Sequence, residues 1–138
     1  MDINPITEEA ENIVFDAVLA LVTPRVGECL ACFVARQVDQ FGCDSTHRFF
    51  LLYRDQRAPR ASALLDRLSA MGAYCDCEMF LNAYELAERF WKPGAWLPGA
   101  DGGEEWWDPE PPEKAPPCEG VRRGSTKPCT IWERIARG

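Results

Sequence analysis

Seven cysteines stand out among the residues that could do chemistry. Four of them form close pairs in the sequence, Cys29 with Cys32 and Cys75 with Cys77. Positions i and i+3 share one face of a helix, so we expect Cys29 and Cys32 to project together. A structural zinc ion takes four ligands in a tetrahedron, with Zn–S bonds of about 2.3 Å. The pairs therefore predict a zinc site made by Cys29, Cys32, Cys75 and Cys77, although buried cysteines also serve as small apolar residues.

Cys43 and His47 offer a rival set of ligands. Cys43 lies beyond Cys32 by about 16 Å along a continuous helix that rises about 1.5 Å per residue, so these two could not share one ion. Cys43 and His47 could instead join Cys75 and Cys77 in a second possible site. A lone histidine such as His47, the only one in the sequence, is more often a surface or helix-capping residue than a ligand, so this set ranks second to the four cysteines.

The last two cysteines, Cys118 and Cys129, lie far along the chain with ten residues between them. A glycine turn in this segment could bring the two thiols together. They could form a separate metal site, join Cys29 and Cys32, or have no role. The spacing leaves these three alternatives open.

Catalytic chemistry is less well supported by the sequence. Cys29 and Cys32 at a helix start also suit a thiol redox pair, but the βαβ pattern typical of such proteins is missing. The sequence contains neither a glycine-rich phosphate loop nor a nucleophile elbow, and it offers one histidine as a base. We therefore expect a protein that is not an enzyme, with redox chemistry as the alternative.

Charge is distributed unevenly along the chain. The formal net charge is −7, which disfavours nucleic-acid binding by the whole surface. Residues 98–113 carry six acidic and no basic side chains, whereas residues 114–138 carry six basic and two acidic ones. The basic residues Arg122, Arg123 and Lys127 leave direct contact with nucleic acid open as a further alternative.

The start of the sequence and its apolar runs bear on localisation. Met1 is followed by Asp2 and soon by Glu8 and Glu9, which is unlike the basic start of a signal peptide. The longest apolar runs are far shorter than the roughly 20 residues that span a bilayer. We expect a cytoplasmic protein without a membrane partner, in a reducing compartment where thiols stay free.

Apolar residues at helical spacing predict about five helices in residues 1–91. Four of them are expected to start near Thr7, Glu28, Pro59 and Asp76, and Asp44, Ser45 or Thr46 is expected to cap the start of the third helix. Gly42 and Gly72 are expected to end the second and fourth helices. Because no alternating strand pattern competes, the predicted class is mainly α, a small helical domain with a structural zinc site.

The composition changes after Trp91. Eight of the eleven prolines and seven of the ten glycines lie beyond it, and four of the five tryptophans lie at or beyond Trp96. Proline at this density rules out helices and central strands. We predict a helical cysteine-rich domain over residues 1–91 and an irregular, extended tail over residues 92–138 that packs on the domain or on a partner.

Two motifs carry a family resemblance. Cys43-Asp-Ser-Thr46 and, about thirty residues on, Gly72-Ala-Tyr-Cys-Asp-Cys-Glu-Met-Phe-Leu-Asn82 resemble the C-D-x-T and G-x-x-C-D-C-E-x-x-x-N motifs of a bacterial family of unknown function. The resemblance covers residues 28–84. Family members often have histidine at Ser45 and an aliphatic residue at His47, which weakens the ligand set that contains His47.

The resemblance also implies a role. The additional Cys29-x-x-Cys32 pair and the tail cysteines resemble the actinobacterial branch of the family. That branch is similar to a mycobacterial factor that recruits a ribosome hibernation protein to the small ribosomal subunit when zinc is scarce. The resemblance thus implies a zinc-binding adaptor or zinc-responsive regulator with Zn²⁺ as cofactor. Its partner would be a protein, a hibernation factor or the small ribosomal subunit.

Overall fold

The computed structural model describes residues 9–14, 19 and 21–135. The predicted helix start at Thr7 lies outside these residues. Residues 9–14 are helical, but the side chains of Ile13 and Val14 are 69% and 63% exposed, so this helix does not bury them as an apolar face. No helix in the described part of the chain is long and apolar enough to cross a membrane.

Three α-helices follow in the first half of the chain. They are α1 (Leu30–Phe41), α2 (Arg48–Arg57) and α3 (Leu64–Ala70). The ring centroids of Phe33 and Tyr53 lie 5.7 Å apart, which packs α1 against α2 in the core. Gly42 and Gly72 take φ angles of 77° and 85°, values that favour glycine where a helix ends.

The fourth helix is shorter than predicted. It begins at Leu64 rather than near Pro59, since residues 59, 60, 62 and 63 form turns. Leu64 and Leu68 are buried at 3% and 2% exposure, as their helical spacing predicted. The apolar spacing therefore located the buried face of α3, whereas the proline did not mark its start.

The predicted fifth helix is wrong. One turn of π-helix covers Met79–Ala83, strand β1 follows at Tyr84–Leu86, and a 3₁₀ turn covers Glu88–Phe90. Strand β4 (Trp132–Arg134) pairs antiparallel with β1. The backbone of β1 bonds to a segment almost fifty residues away, which helical periodicity of the side chains cannot reveal.

A second pair of strands forms an exposed hairpin. We call β2 (Ala95–Pro98), β3 (Glu104–Trp107) and the loop between them the tryptophan hairpin. The rings of Trp96 and Trp106 lie across the two strands with centroids 5.4 Å apart. A Cβ atom on Gly94 would lie 2.5 Å from the Trp106 ring, so a larger residue there would force the ring to shift. With two sheets beside its helices the fold is mixed α and β, and the mainly α prediction is wrong.

The C-terminal segment completes the hydrophobic core. Ile131 is fully buried and Cys129 is 4% exposed, both within the main cluster of buried residues. The Ala87 N–H donates to the Ile131 carbonyl over 2.8 Å. The Phe80 and Trp132 rings approach to 5.2 Å between centroids. Residues beyond the composition change therefore form part of the same core as the helices.

Truncating Ile131 tests this role of the C-terminal segment. Ile131→Ala is expected to lower the free energy of unfolding by about 2–5 kcal/mol, because it leaves a cavity in a fully buried site. Leu97→Ala is the matched control, since Leu97 also follows residue 91 but is 42% exposed. The control is expected to cost about 0.5 kcal/mol or less in urea denaturation. Equal losses for both variants would contradict a core role for Ile131.

Candidate metal centre

Four thiols meet where the C-terminal segment reaches the start of α1. The sulfur atoms of Cys29, Cys32, Cys118 and Cys129, called here the four-cysteine cluster, lie within 4.8 Å of one another. Cys32 and Cys129 have their sulfurs 3.7 Å apart, against about 2.05 Å in a disulfide. All four are free thiols. Sulfurs around a tetrahedral zinc ion are about 3.8 Å apart, so only small shifts would complete such a site.

Backbone and indole N–H groups point at these sulfurs. Cys29 is the N-cap of α1, and its sulfur accepts from the Cys32 N–H over 3.3 Å. The Cys118 sulfur accepts from the N–H groups of Cys29 and Gly120 over 3.3 and 3.4 Å. The Trp132 indole donates to the Cys32 sulfur over 3.2 Å. Donors of this kind stabilise thiolate, the form of cysteine that binds a metal.

The loop before α1 is fixed by polar contacts. The guanidinium of Arg36 donates to both carboxylate oxygens of Glu28, with distances of 2.8 and 3.1 Å. The Tyr53 hydroxyl donates to the Glu28 carbonyl over 2.8 Å. The Val121 N–H donates to the Gly27 carbonyl over 2.9 Å. These contacts hold the residues on both sides of Cys29 and Cys118 in place.

The thiols of this cluster differ in acidity. The hydrogen bond with Cys32 lowers the pKa of Cys29 to about 5, although burial acts in the opposite direction. The pKa of Cys32 is raised, mainly by the same hydrogen bond and next by burial. Burial also raises the pKa of Cys129. The lowered value favours the thiolate form of Cys29, and metal binding by Cys32 and Cys129 would release their protons.

A second group of thiols lies beyond the end of α1. The sulfurs of Cys43, Cys75 and Cys77, the three-cysteine cluster, lie within 4.8 Å of one another, with 3.3 Å between those of Cys75 and Cys77. Burial raises the pKa of Cys43, but the backbone N–H groups of Cys77 and Ser45 outweigh it and lower the value. Ser45 has a φ of 69°, an uncommon angle for a residue other than glycine.

Asp76 anchors the three-cysteine cluster to α2. Its carboxylate is fully buried and accepts from the N–H groups of Phe49 and Phe50 over 3.0 and 3.2 Å. His47, the N-cap residue, makes no capping hydrogen bond with its side chain. The prediction that Asp44, Ser45 or Thr46 caps this helix is therefore wrong, because the acceptor comes from a distant loop.

His47 and Glu78 flank the three-cysteine cluster. The His47 Nε2 lies 2.9 Å from the Ala73 carbonyl, to which its N–H donates, and the ring stacks on Phe50. One Glu78 carboxylate oxygen lies 3.4 Å from the Cys75 sulfur. Among the described residues, neither side chain joins the group of sulfurs within 4.8 Å.

The structure divides the predicted ligands between the two clusters. Cys29 and Cys32 lie with the tail thiols, which was one of three alternatives for Cys118 and Cys129. Cys75 and Cys77 lie with Cys43, without His47. The predicted combination of both pairs around one ion is not found because α1 holds its two ends apart and the C-terminal segment supplies the partners of Cys29 and Cys32. Metal binding at either cluster stays a prediction.

The basic residues of the tail are exposed. Arg122, Arg123 and Lys127 all lie at the surface. Their contact with nucleic acid is not tested by the structure and stays a prediction.

Comparison with known proteins gives a partial match. Residues 30–82 match a family model described as "Protein of unknown function (DUF2695)". The matched region contains the whole three-cysteine cluster and, of the other cluster, Cys32 alone. This fits the predicted resemblance to a family of unknown function. No curated protein matches the chain, and no solved structure does.

Removing the Asp76 carboxylate tests its capping role. Asp76→Ala is expected to lower the free energy of unfolding by about 1–3 kcal/mol, because two buried N–H groups lose their acceptor. Asp55→Ala is the control, since the Asp55 side chain is 67% exposed, and it is expected to cost about 0.5 kcal/mol or less. Thermal and urea unfolding measure both. A loss no larger than that of the control would contradict the capping role.

Proposed function

We propose that the protein is a non-enzymatic zinc-binding adaptor in which one zinc ion at the four-cysteine cluster fixes the C-terminal segment to the start of α1. The convergence of four sulfurs within 4.8 Å carries this proposal. A set of four soft thiolates this close together suits zinc better than harder cations such as Mg²⁺ or Ca²⁺.

The position of the four-cysteine cluster explains what the ion would stabilise. Cys118 approaches Cys29 across a separation of 89 residues, and Cys129 approaches Cys32 across 97. Closing such long loops costs conformational entropy. Because a metal site is rarely preformed in the unfolded chain, binding free energy contributes to folding free energy. The bound ion would therefore hold the C-terminal strand and Ile131 in the core.

Removal of zinc tests this proposal. Protein purified without added zinc is expected to hold tightly bound zinc, and chelation is expected to lower its melting temperature by roughly 10 °C or more. Cys129→Ser is expected to reproduce the loss of stability without a chelator. Cys43→Ser is the matched control, because Cys43 lies outside the four-cysteine cluster and its replacement leaves the tight site intact. Zinc content by mass spectrometry and melting by circular dichroism measure these effects.

The redox alternative predicts the opposite outcome. The lowered pKa of Cys29 and its position at the start of α1 favour a reactive thiol. A protein without tightly bound zinc that forms a Cys29–Cys32 disulfide in mild peroxide would contradict the zinc proposal and support this alternative. Persistence of all seven reduced thiols in the same experiment would exclude redox chemistry.

The adaptor part of the proposal is supported by the tryptophan hairpin. Trp96, Trp106 and Trp107 are 63%, 47% and 51% exposed. All four residues of β3 are exposed, and two of them are Glu104 and Glu105. Exposed apolar patches mark interaction sites. Aromatic rings beside carboxylates suit lysine and arginine, through cation–π contacts and ion pairs. The partner we propose is therefore a protein with a basic segment.

The family resemblance suggests where to look for this partner. A hibernation factor or a protein of the small ribosomal subunit would fit the proposed partner if its surface carries a lysine- or arginine-rich segment. The acidic charge of residues 98–113 supports contact with protein over contact with the phosphate backbone of RNA.

Binding of an arginine-rich peptide tests the tryptophan hairpin. Trp107→Ala is expected to weaken binding about two- to fivefold, the value of an exposed cation–π contact, and added salt is expected to weaken it further. Leu97→Ala, on the same hairpin and 42% exposed, is the control and should bind as the unaltered protein does. Fluorescence titration measures the affinities. Unchanged binding by Trp107→Ala would contradict the assignment.

A further inference from the structure

We infer that the three-cysteine cluster is a second zinc site, with an open coordination position, from which zinc exchanges while the fold stays intact. In the isolated protein water would occupy the fourth position, and a soft donor from another molecule could replace it. The inference rests on zinc binding as proposed above. It adds that the chain holds two zinc ions, of which the one at the three-cysteine cluster exchanges faster.

The number of protein ligands is the first argument. Three sulfurs lie within 4.8 Å of one another, and no further cysteine, histidine or carboxylate in the described residues joins them. His47 is engaged with the Ala73 carbonyl. Three protein ligands and one open position are the arrangement of exchangeable and catalytic zinc sites, whereas structural sites have four protein ligands.

Among the described residues, Glu78 brings a carboxylate to this cluster. One of its carboxylate oxygens lies near Cys75. The other accepts from the Asn82 amide over 3.4 Å, and the same amide donates to the Gly72 carbonyl over 2.9 Å. These contacts hold Glu78 to one side of the cluster, at Cys75. Glu78 therefore contacts Cys75 without joining the group of sulfurs within 4.8 Å of one another.

Exposure is the second argument. Cys43 and Cys77 are both partly exposed, and Ser45, two residues after Cys43, is exposed. Tyr74 and Leu81, on either side of the Cys75–Cys77 segment, are 62% and 70% exposed. In the four-cysteine cluster Cys29 and Cys129 are 0% and 4% exposed and the other two thiols are partly exposed, whereas in the three-cysteine cluster only Cys75, at 6%, is buried. Zinc at the three-cysteine cluster would thus be open to solvent, to chelators and to ligands from a partner.

The third argument is that hydrogen bonds hold the loops of this cluster in place. The loop that carries Cys75 and Cys77 is already held by the Asp76 carboxylate at the start of α2. The Asp76 N–H also donates to the Thr46 carbonyl over 3.0 Å, which joins this loop to the loop that carries Cys43. The ligands are therefore positioned by hydrogen bonds that do not require the ion. Loss of zinc here would leave the helices folded.

Zinc stoichiometry and exchange test the inference on the full chain. The zinc-loaded protein is expected to hold two zinc ions, of which a chromogenic chelator, 4-(2-pyridylazo)resorcinol, removes one without loss of helicity. Cys77→Ser is expected to lower the stoichiometry from two to one and to abolish this rapidly exchanging fraction. Glu78→Gln is the matched control, and it should keep two ions and the same exchange rate.

Cobalt substitution reports on the open position directly. The Co²⁺ spectrum of the unaltered protein minus that of the Cys77→Ser variant reports the three-cysteine cluster, and its visible absorption bands are expected to shift when imidazole is added. In the Cys77→Ser variant, where Co²⁺ occupies the closed cluster, imidazole is expected to cause no shift.

The outcomes separate the two proposals. One zinc ion per chain, unaffected by Cys77→Ser, would overturn the second site and leave the four-cysteine proposal standing. Two ions that resist the chelator equally, or loss of the second ion in Glu78→Gln, would show a closed second site and overturn the inference. The absence of any bound zinc would contradict the proposed function itself.

Discussion

The return of the C-terminal segment to the start of α1 is the constraint on which the rest of the structure depends. It brings Cys118 and Cys129 to Cys29 and Cys32, places Ile131 in the core, and supplies the strand that pairs with β1. Without it α1 would expose the thiols of its first turn, and β1 would have no hydrogen-bonded neighbour. The helices alone do not form a complete hydrophobic core.

The sequence predicted those parts of the fold that depend on neighbouring residues. The apolar spacing in α1 and α3 and the glycines at 42 and 72 are local signals, and the structure agrees with them. The fifth helix was wrong because Met79, Ala83 and Ala87 keep a helical spacing and are all buried, although the chain leaves the helix at Tyr84. The pairing of β1 with β4 depends on a distant partner that local periodicity does not encode.

For the candidate site, too, the sequence predicted only what depends on residue type and on neighbouring residues. The chemistry of the thiol identified the cysteines as candidate ligands, but their grouping depends on tertiary contacts. The length of α1 correctly separated Cys32 from Cys43. Nothing local indicated that Asp76, between two cysteines, would cap α2 with its carboxylate. The ten-residue interval between Cys118 and Cys129 was compatible with the observed cluster but did not select it.

The two clusters also differ in how much of the chain must be synthesised before each can form. The three-cysteine cluster is complete once residue 77 has emerged, whereas the four-cysteine cluster requires residue 129. Contacts between segments close in sequence form earlier than contacts across long loops. A nascent chain would therefore present the solvent-open thiols first and bury the others last. With zinc bound as proposed, the order of synthesis would also set the order in which the two clusters take up their ions.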